Sequence, residues 1–260
     1  MMDHLRRSTL TVGLLFLAAC SRAPEPRNTA TSPPATAPIV YTEVDPQTAG
    51  AITGKILFTG KRSARAKIDM DGDPQCAGLH RSPVYDDPVA VSRGGGLANV
   101  FVYIKSGLEG KHFRPPAQAA TIDQHGCWFQ PRVLGIETGQ TLDVTNSDPV
   151  THNIHPRAHL NREWNQSQAP GAIPLARKFI RPEIMIRVKC NIHGWMKAWI
   201  GVVDNPYFAV SAADGTFEIR NLPPGAYTIA AWQEELGTQE QQVAVPPSGK
   251  AALAFTFRGE

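Results

Sequence analysis

The stretch VKCNIHGWMKAW, residues 188–199, carries sulfur and imidazole side chains at intervals of three residues: Cys190, His193 and Met196. A strand that ends at a cysteine, followed by a tight loop that folds back over it, brings a thiolate, an imidazole and a thioether to one point. These donors suit soft transition-metal ions. The stretch therefore predicts most of one metal site.

A second imidazole would complete the ligand set that copper takes in electron-transfer sites, where a thiolate and two imidazoles form a near-trigonal plane with a weak axial thioether. His152, in SDPVTHNIHP, follows the strand-like residues 140–145 and is the obvious donor. A lone buried thiol or methionine is more often a core residue than a ligand, but the combination favours a metal site. It predicts one copper ion bound by His152, Cys190, His193 and Met196.

The N-terminus has the features of an export signal. Two arginines precede an apolar run at residues 10–19 that is too short to span a bilayer comfortably, and small residues precede Cys20. LAAC, ending at Cys20, resembles the lipobox of bacterial lipoproteins, whose cysteine is lipidated. The alternative is an ordinary secretory signal with a chance cysteine. The resemblance implies a lipid-anchored periplasmic protein, and Ser21 favours the outer membrane.

Composition favours many short strands. The 260 residues are 42% hydrophobic, and 22 glycines and 22 prolines fall at short intervals between alternating apolar runs. No stretch predicts an amphipathic helix of ordinary length. The formal charge of +3 is small and has no basic block, so nucleic acid is not an expected partner.

These patterns divide the chain. Residues 1–19 are predicted to be a signal peptide and residues 20–45, rich in proline, alanine, threonine and serine, a lipidated tether. Residues 46–203 contain the predicted metal ligands, and residues 204–260 form a second module. Residues 156–178 lack any hydrophobic period and predict a long surface loop.

Two further cysteines need a role in an oxidising compartment. Cys76 and Cys127 are a candidate disulfide. The alternative is a second metal site formed by these cysteines with His80 and His125. Spare cysteines of exported proteins pair more often than they bind metal, but the sequence alone does not fix the pairing.

Residues 204–260 show a different pattern. DGTFEI at 214–219 and LPPGAYTI at 222–229 predict strands beside turns, and they resemble the carboxypeptidase regulatory-like, or transthyretin-like, β-sandwich. So short a module has a thin core. We therefore expect it to pack on the preceding domain or to recruit the strand predicted at residues 51–59.

Residues 124–203 resemble the cupredoxins, and the ligand segments look most like blue copper proteins of the amicyanin type. The resemblance is carried by Cys190-x-x-His193-x-x-Met196 and by residues before it: FQP at 129–131, Leu134, Gly139, Val144, Asn146, Asp148, and HNIH at 152–155. It implies an all-β chain, with a Greek-key cupredoxin sandwich followed by the small transthyretin-like sandwich. The segment from residue 50 is expected to supply the first cupredoxin strands.

The same resemblance implies roles at the site. His152 and His193 would be imidazole ligands of a type 1 copper, Cys190 the thiolate and Met196 the axial thioether.

Asn153 would hydrogen-bond near Asn191 and tie the two ligand segments together. His193 would present one ring edge to solvent as the electron exit, with Gly194 and Trp195 as a docking patch.

The expected function is electron transfer with partner redox proteins, not enzyme catalysis. The alternatives are a copper-binding envelope protein for storage, sensing or delivery, and a scaffold with a relict site. An oxidase or nitrite reductase is disfavoured because the chain lacks further histidine clusters for a substrate-binding copper. No role is assigned to His155 or His159.

Overall fold

The computed structural model describes residues 39–260. The predicted signal peptide and the predicted lipidation site, Cys20, lie outside the described residues. The end of the predicted tether contacts the folded part, since the backbone N–H of Thr42 donates to the carbonyl of His112 at 2.7 Å. Within the described part of the chain, no helix is long and apolar enough to cross a membrane.

The predicted all-β fold is confirmed, because strands dominate and the described helix has five residues. The elements are β1 Gly50–Thr59, β2 Ala66–Lys67, α1 Pro74–Gly78, β3 Tyr85–Asp86, β4 Phe101–Ser106, β5 Ala120–Gln124, β6 Phe129–Gln130, β7 Val133–Glu137, β8 Thr141–Asn146, β9 His152–Arg157, β10 Gln166–Gln168, β11 Leu175–Lys178, β12 Glu183–Lys189, β13 Lys197–Val203, β14 Phe208–Val210, β15 Thr216–Leu222, β16 Gly225–Gln233, β17 Gly237–Val245 and β18 Lys250–Arg258.

The first sandwich, which carries the predicted ligands, has sheets in the orders β10-β9-β12-β13-β7 and β11-β8-β5-β6. The pairs β7–β13 and β5–β8 are parallel, so connections cross between the sheets. Alternating apolar residues from both sheets meet in one core that includes Ile122, Leu142, Ile154, Ile186 and Ile200. The two sheets form a β-sandwich, which is the architecture predicted for this part of the chain.

The second sandwich has sheets in the orders β15-β1-β18 and β14-β4-β16-β17. As expected, the C-terminal module recruits β1, which lies between β15 and β18. The segment from residue 50 therefore does not supply strands of the first sandwich, in contrast to the expectation from the resemblance. β4 also joins the C-terminal strands, because residues 204–260 alone lack enough apolar surface for a core.

The prediction of one long surface loop at residues 156–178 is wrong. β9 extends to Arg157, and β10 and β11 are edge strands of the two sheets of the first sandwich. Both are short and largely exposed, so their composition is polar, as is common at sheet edges. The sequence shows no alternation of apolar and polar residues in β10 and β11, because little of either strand is buried.

The two sandwiches pack through glycines and a buried ion-pair cluster. Gly135 of β7 and Gly201 of β13 are register partners, and a Cβ on either would lie within 2.7 Å of the ring of Phe101. Nearby, the Arg132 guanidinium donates to Glu234 and Asp86. The strands of the first sandwich are thus fixed against β4 of the second.

Candidate metal centre

The loop between β12 and β13 folds back as the sequence predicted. The Cys190 N–H donates to the Met196 carbonyl at 3.3 Å, and the Met196 N–H donates to the His193 carbonyl at 3.0 Å. The backbone N–H of His193 donates to the Cys190 sulfur at 3.3 Å. All three side chains are buried, and Cys190 and Met196 share the core of the first sandwich.

His152 begins β9, the neighbour of β12, so its imidazole meets the loop. Its Nδ1 atom lies 3.0 Å from Nδ1 of His193, which in turn lies 3.8 Å from Sγ of Cys190. Ligand atoms of these three residues all lie within 4.8 Å of one another. The structure therefore brings the predicted thiolate and both predicted imidazoles together.

Two carboxylates determine which ring nitrogen carries the hydrogen. Asp148 Oδ2 lies 2.7 Å from His152 Nε2, and Asp73 Oδ2 lies 2.8 Å from His193 Nε2. A carboxylate only accepts hydrogen bonds, so each Nε2 donates. Both Nδ1 atoms then direct a lone pair towards the other and towards the Cys190 sulfur, an arrangement that a bound cation stabilises.

The distance between His193 Nδ1 and Cys190 Sγ fits a shared metal ion. With metal–nitrogen bonds of about 2.05 Å, a metal–sulfur bond of about 2.3 Å and trigonal angles, the ligand atoms would be about 3.8 Å (N to S) and about 3.5 Å (N to N) apart. The observed N-to-S distance for His193 and Cys190 is 3.8 Å, and the N-to-N distance of 3.0 Å corresponds to a narrower angle. Two imidazoles and a thiolate are the in-plane donors of blue copper sites.

The electrostatic surroundings favour a neutral ligand. Burial lowers the pKa of His152, while Asp148 acts in the opposite direction. The pKa of Asp73 is lowered, first by the backbone N–H of Cys76 and then by His193. An uncharged His152 keeps its Nδ1 lone pair free for a metal.

Cys76 and Cys127 form a disulfide. This bond takes both sulfurs away from the alternative second metal site. Nε2 of His80 lies 2.9 Å from the carbonyl of Gly126, and His125 is exposed. Closing a loop across a separation of 51 residues stabilises the fold by about 4 kcal/mol on the chain-entropy model.

The prediction that His193 presents a ring edge to solvent is wrong. The residue is 2% exposed because Asp73 binds its outer nitrogen and the disulfide packs beside it. Gly194 is exposed, but Trp195 is half-buried and donates to the Cys127 carbonyl at 3.1 Å. Segment 69–80 therefore covers the expected electron exit.

Asp73 was not identified from the sequence, because it lies 120 residues before His193. Its one local signal is the Asp-Pro pair that starts α1, where Asp73 is the N-cap. Asp148 belongs to the motif that carries the resemblance, but no role was predicted for it. Contacts of this kind depend on the fold of distant segments, which no local pattern describes.

The predicted link between the ligand segments is present. The side-chain oxygen of Asn153 accepts from the backbone N–H of Asn191 at 3.0 Å. His155 lies outside the ligand cluster, with Nδ1 3.2 Å from the side-chain oxygen of Asn191 and Nε2 beside Glu163. His159 is exposed.

No protein-family model and no curated protein matches the chain. Among solved structures it is similar to the copper-containing nitrite reductase from Thermus scotoductus SA-01, with 21% identity, a TM-score of 0.32, and coverage of 38% of this chain and 25% of the reductase. It is also similar to an oxidised single-residue variant of amicyanin, with 18% identity, a TM-score of 0.30, and coverage of 39% of this chain and 97% of amicyanin. A purple cupredoxin from Nitrosopumilus maritimus has 21% identity and a TM-score of 0.28, and the match covers 32% of this chain and 98% of the cupredoxin.

This chain thus spans a quarter of the nitrite reductase and nearly all of the two small cupredoxins. These similarities are too distant to assign a function.

Proposed function

We propose that the protein is an electron-transfer protein with one type 1 copper ion, which Nδ1 of His152, Nδ1 of His193, Sγ of Cys190 and the thioether of Met196 would hold. The observation that carries the proposal is the convergence of three buried donor atoms within 4.8 Å, with both imidazoles held in the tautomer that ligation requires. A copper ion bound there would supply one-electron chemistry.

The burial of the site supports a carrier rather than an enzyme. His152, Cys190 and His193 are each at most 2% exposed, so their donor atoms are closed off from solvent. Catalytic metal sites keep a coordination position open. The packed loop between β12 and β13 keeps the ligand positions fixed, which suits an ion that changes charge without changing partners.

The expected location follows from the export signal and from the disulfide. The lipobox resemblance supports lipid attachment at Cys20 and a periplasmic site of action. The Cys76–Cys127 disulfide supports the same location, because disulfides form and persist in oxidising compartments. The partners would be redox proteins that dock on the folded part of the chain.

One observation favours a second candidate, a copper-binding envelope protein that stores, senses or delivers the metal. The ring edge of His193, which a carrier would expose, is covered by Asp73. Fast electron self-exchange of the copper-loaded protein would support the carrier. Slow exchange together with tight Cu(I) binding would support the copper-handling protein.

The test is the visible and electron paramagnetic resonance spectrum of residues 39–260 loaded with Cu(II). We expect an intense thiolate-to-copper charge-transfer band with narrow hyperfine splitting, lost in Cys190→Ser and in His193→Ala. His155→Ala is the matched control and should keep the band, because His155 lies outside the ligand cluster. A weak spectrum of nitrogen and oxygen ligation that Cys190→Ser leaves unchanged would contradict the proposal.

A further inference from the structure

Asp73 contacts both the metal site and the segment that covers it. Its Oδ2 accepts from Nε2 of His193 at 2.8 Å, while its Oδ1 accepts from the backbone N–H groups of Gln75 and Cys76, both at 3.0 Å. The second pair of bonds caps α1. One carboxylate therefore fixes a ligand histidine to the backbone of a disulfide cysteine.

Asp148 makes the same connection on the other histidine. Its Oδ2 accepts from Nε2 of His152 and from the backbone N–H of Cys127, both at 2.7 Å, and its Oδ1 accepts from the N–H of Gly126 at 2.6 Å. The carboxylate is 2% exposed. Cys127 is the disulfide partner of Cys76, whose backbone Asp73 contacts.

We infer that Asp73 and Asp148 are positioning residues of the metal site, and that the Cys76–Cys127 disulfide holds them together as one frame around it. The contacts run from His193 through Asp73, Cys76, Cys127 and Asp148 to His152. The inference rests on the proposed function, since the frame would orient the two histidines towards the copper ion.

The physical role of the frame is to fix the tautomer and the ring orientation. An acceptor-only group at Nε2 requires a hydrogen there, which leaves Nδ1 free to bind a metal. Metal-ligating histidines commonly have such a carboxylate partner, and its loss typically costs 10–100-fold in metal affinity. Segment 69–80 belongs to neither sandwich core, so the disulfide is the covalent link that keeps Asp73 in place.

Asp73→Asn tests the tautomer directly. An amide offers one acceptor oxygen, which cannot serve both the cap of α1 and His193. If the oxygen caps α1, the NH₂ group faces Nε2 and donates, which moves the histidine hydrogen to Nδ1. In the copper-free protein, nitrogen-15 NMR should report the Nε2–H form of His193 in the wild type and the Nδ1–H form in the variant.

The same variant should bind copper about 10–100-fold more weakly, measured by competition with a copper chelator. Asp71→Asn is the matched control, because Asp71 is an exposed carboxylate of the same segment, and it should leave the tautomer and affinity unchanged. Asp73→Ser keeps a capping oxygen for α1 but removes the contact with His193, so it should also lose affinity while preserving the helix.

The paired variant Cys76→Ser with Cys127→Ser tests the disulfide. Without the covalent link, we expect the Nε2–H of His193 to exchange with solvent faster. We also expect copper affinity to fall, as it should in Asp73→Asn. Unchanged exchange and affinity would overturn the role of the disulfide.

For Asp73, an Nε2–H tautomer of His193 and a copper affinity within about twofold of wild type in both Asp73 variants would overturn the inference. A failure of the proposed function is distinguishable from this. It would show as a wild type without the thiolate-to-copper band, whereas the tautomer of the copper-free protein tests the positioning role in either case.

Discussion

At the residue scale, the site depends on which nitrogen of each histidine carries the hydrogen. The sequence predicted the candidate ligands because Cys190, His193 and Met196 are close along the chain and His152 follows a strand. It did not predict Asp73, whose position depends on how segment 69–80 folds over the loop. Side-chain chemistry is local, but the partners that tune it are not.

The hydrogen bond between the ligand segments gives a prediction. Asn153→Ala removes the acceptor for the part-buried backbone N–H of Asn191 and the donor to Asn165, so the free energy of unfolding should fall by about 1–3 kcal/mol. Asn191→Ala is the control, because it keeps the backbone donor and loses only the exposed contact of its side chain with His155. Urea denaturation of the copper-free proteins measures both, and equal losses in the two variants would contradict the assigned role.

Glu137, at the end of β7, should make stability depend on pH. Burial raises its pKa from 4.5 to about 7, so the folded protein holds the proton in a range where the unfolded chain has lost it. The free energy of unfolding should therefore fall as pH rises from 4.5 to about 7. Glu137→Gln removes this dependence.

Urea denaturation tests the effect. Relative to wild type, Glu137→Gln should gain up to about 3 kcal/mol more at about pH 8 than at about pH 4.5. The exposed Glu43→Gln is the control and should stay close to wild type at both values. A difference between Glu137→Gln and wild type that is the same at both pH values would refute the prediction.

At the scale of elements, strands with an alternating buried face were predictable and edge strands were not. β1, β8, β15 and β16 all overlap segments that the sequence predicts as extended. β10 and β11 lie at sheet edges and bury little, so their sequence shows no period. The brief helix α1 has only an N-cap and a proline as local signals.

The paired glycines of β7 and β13 test the contact between the sandwiches. In Gly201→Ala, the new Cβ would lie 2.5 Å from the Met185 methyl group and 2.6 Å from the Phe101 ring. We expect a loss of about 1–3 kcal/mol in thermal or urea unfolding. Gly94→Ala, where nothing lies within 4 Å, is the matched control. Equal stability of the two variants would contradict the packing described.

At the scale of the whole molecule, the sandwiches share the chain in an order that a linear division misses. β1 and β4 precede the first sandwich but pair with strands that follow it. The thin core expected for residues 204–260 indicated that a strand would be recruited, and β1 was one of two possibilities considered. Nothing in the sequence indicated that β4 would pair with the C-terminal strands, because strand pairing over such separations is set by the global fold.

Truncation after residue 203 tests this arrangement. The shortened protein would expose the apolar residues of β1 and β4 that β15, β16 and β18 cover, so we expect aggregation on size-exclusion chromatography and loss of cooperative unfolding. A soluble monomer that unfolds cooperatively and keeps β1 protected from hydrogen exchange would contradict the pairing.

The central claim is that one thiolate and two imidazoles bind a single copper ion. X-ray absorption spectroscopy of the copper-loaded protein measures this ligand set most directly. We predict one sulfur and two imidazole nitrogens in the bonding shell, with the sulfur lost in Cys190→Ser. A shell of nitrogen and oxygen alone, or a short sulfur contact that persists in Cys190→Ser, would contradict the proposed site.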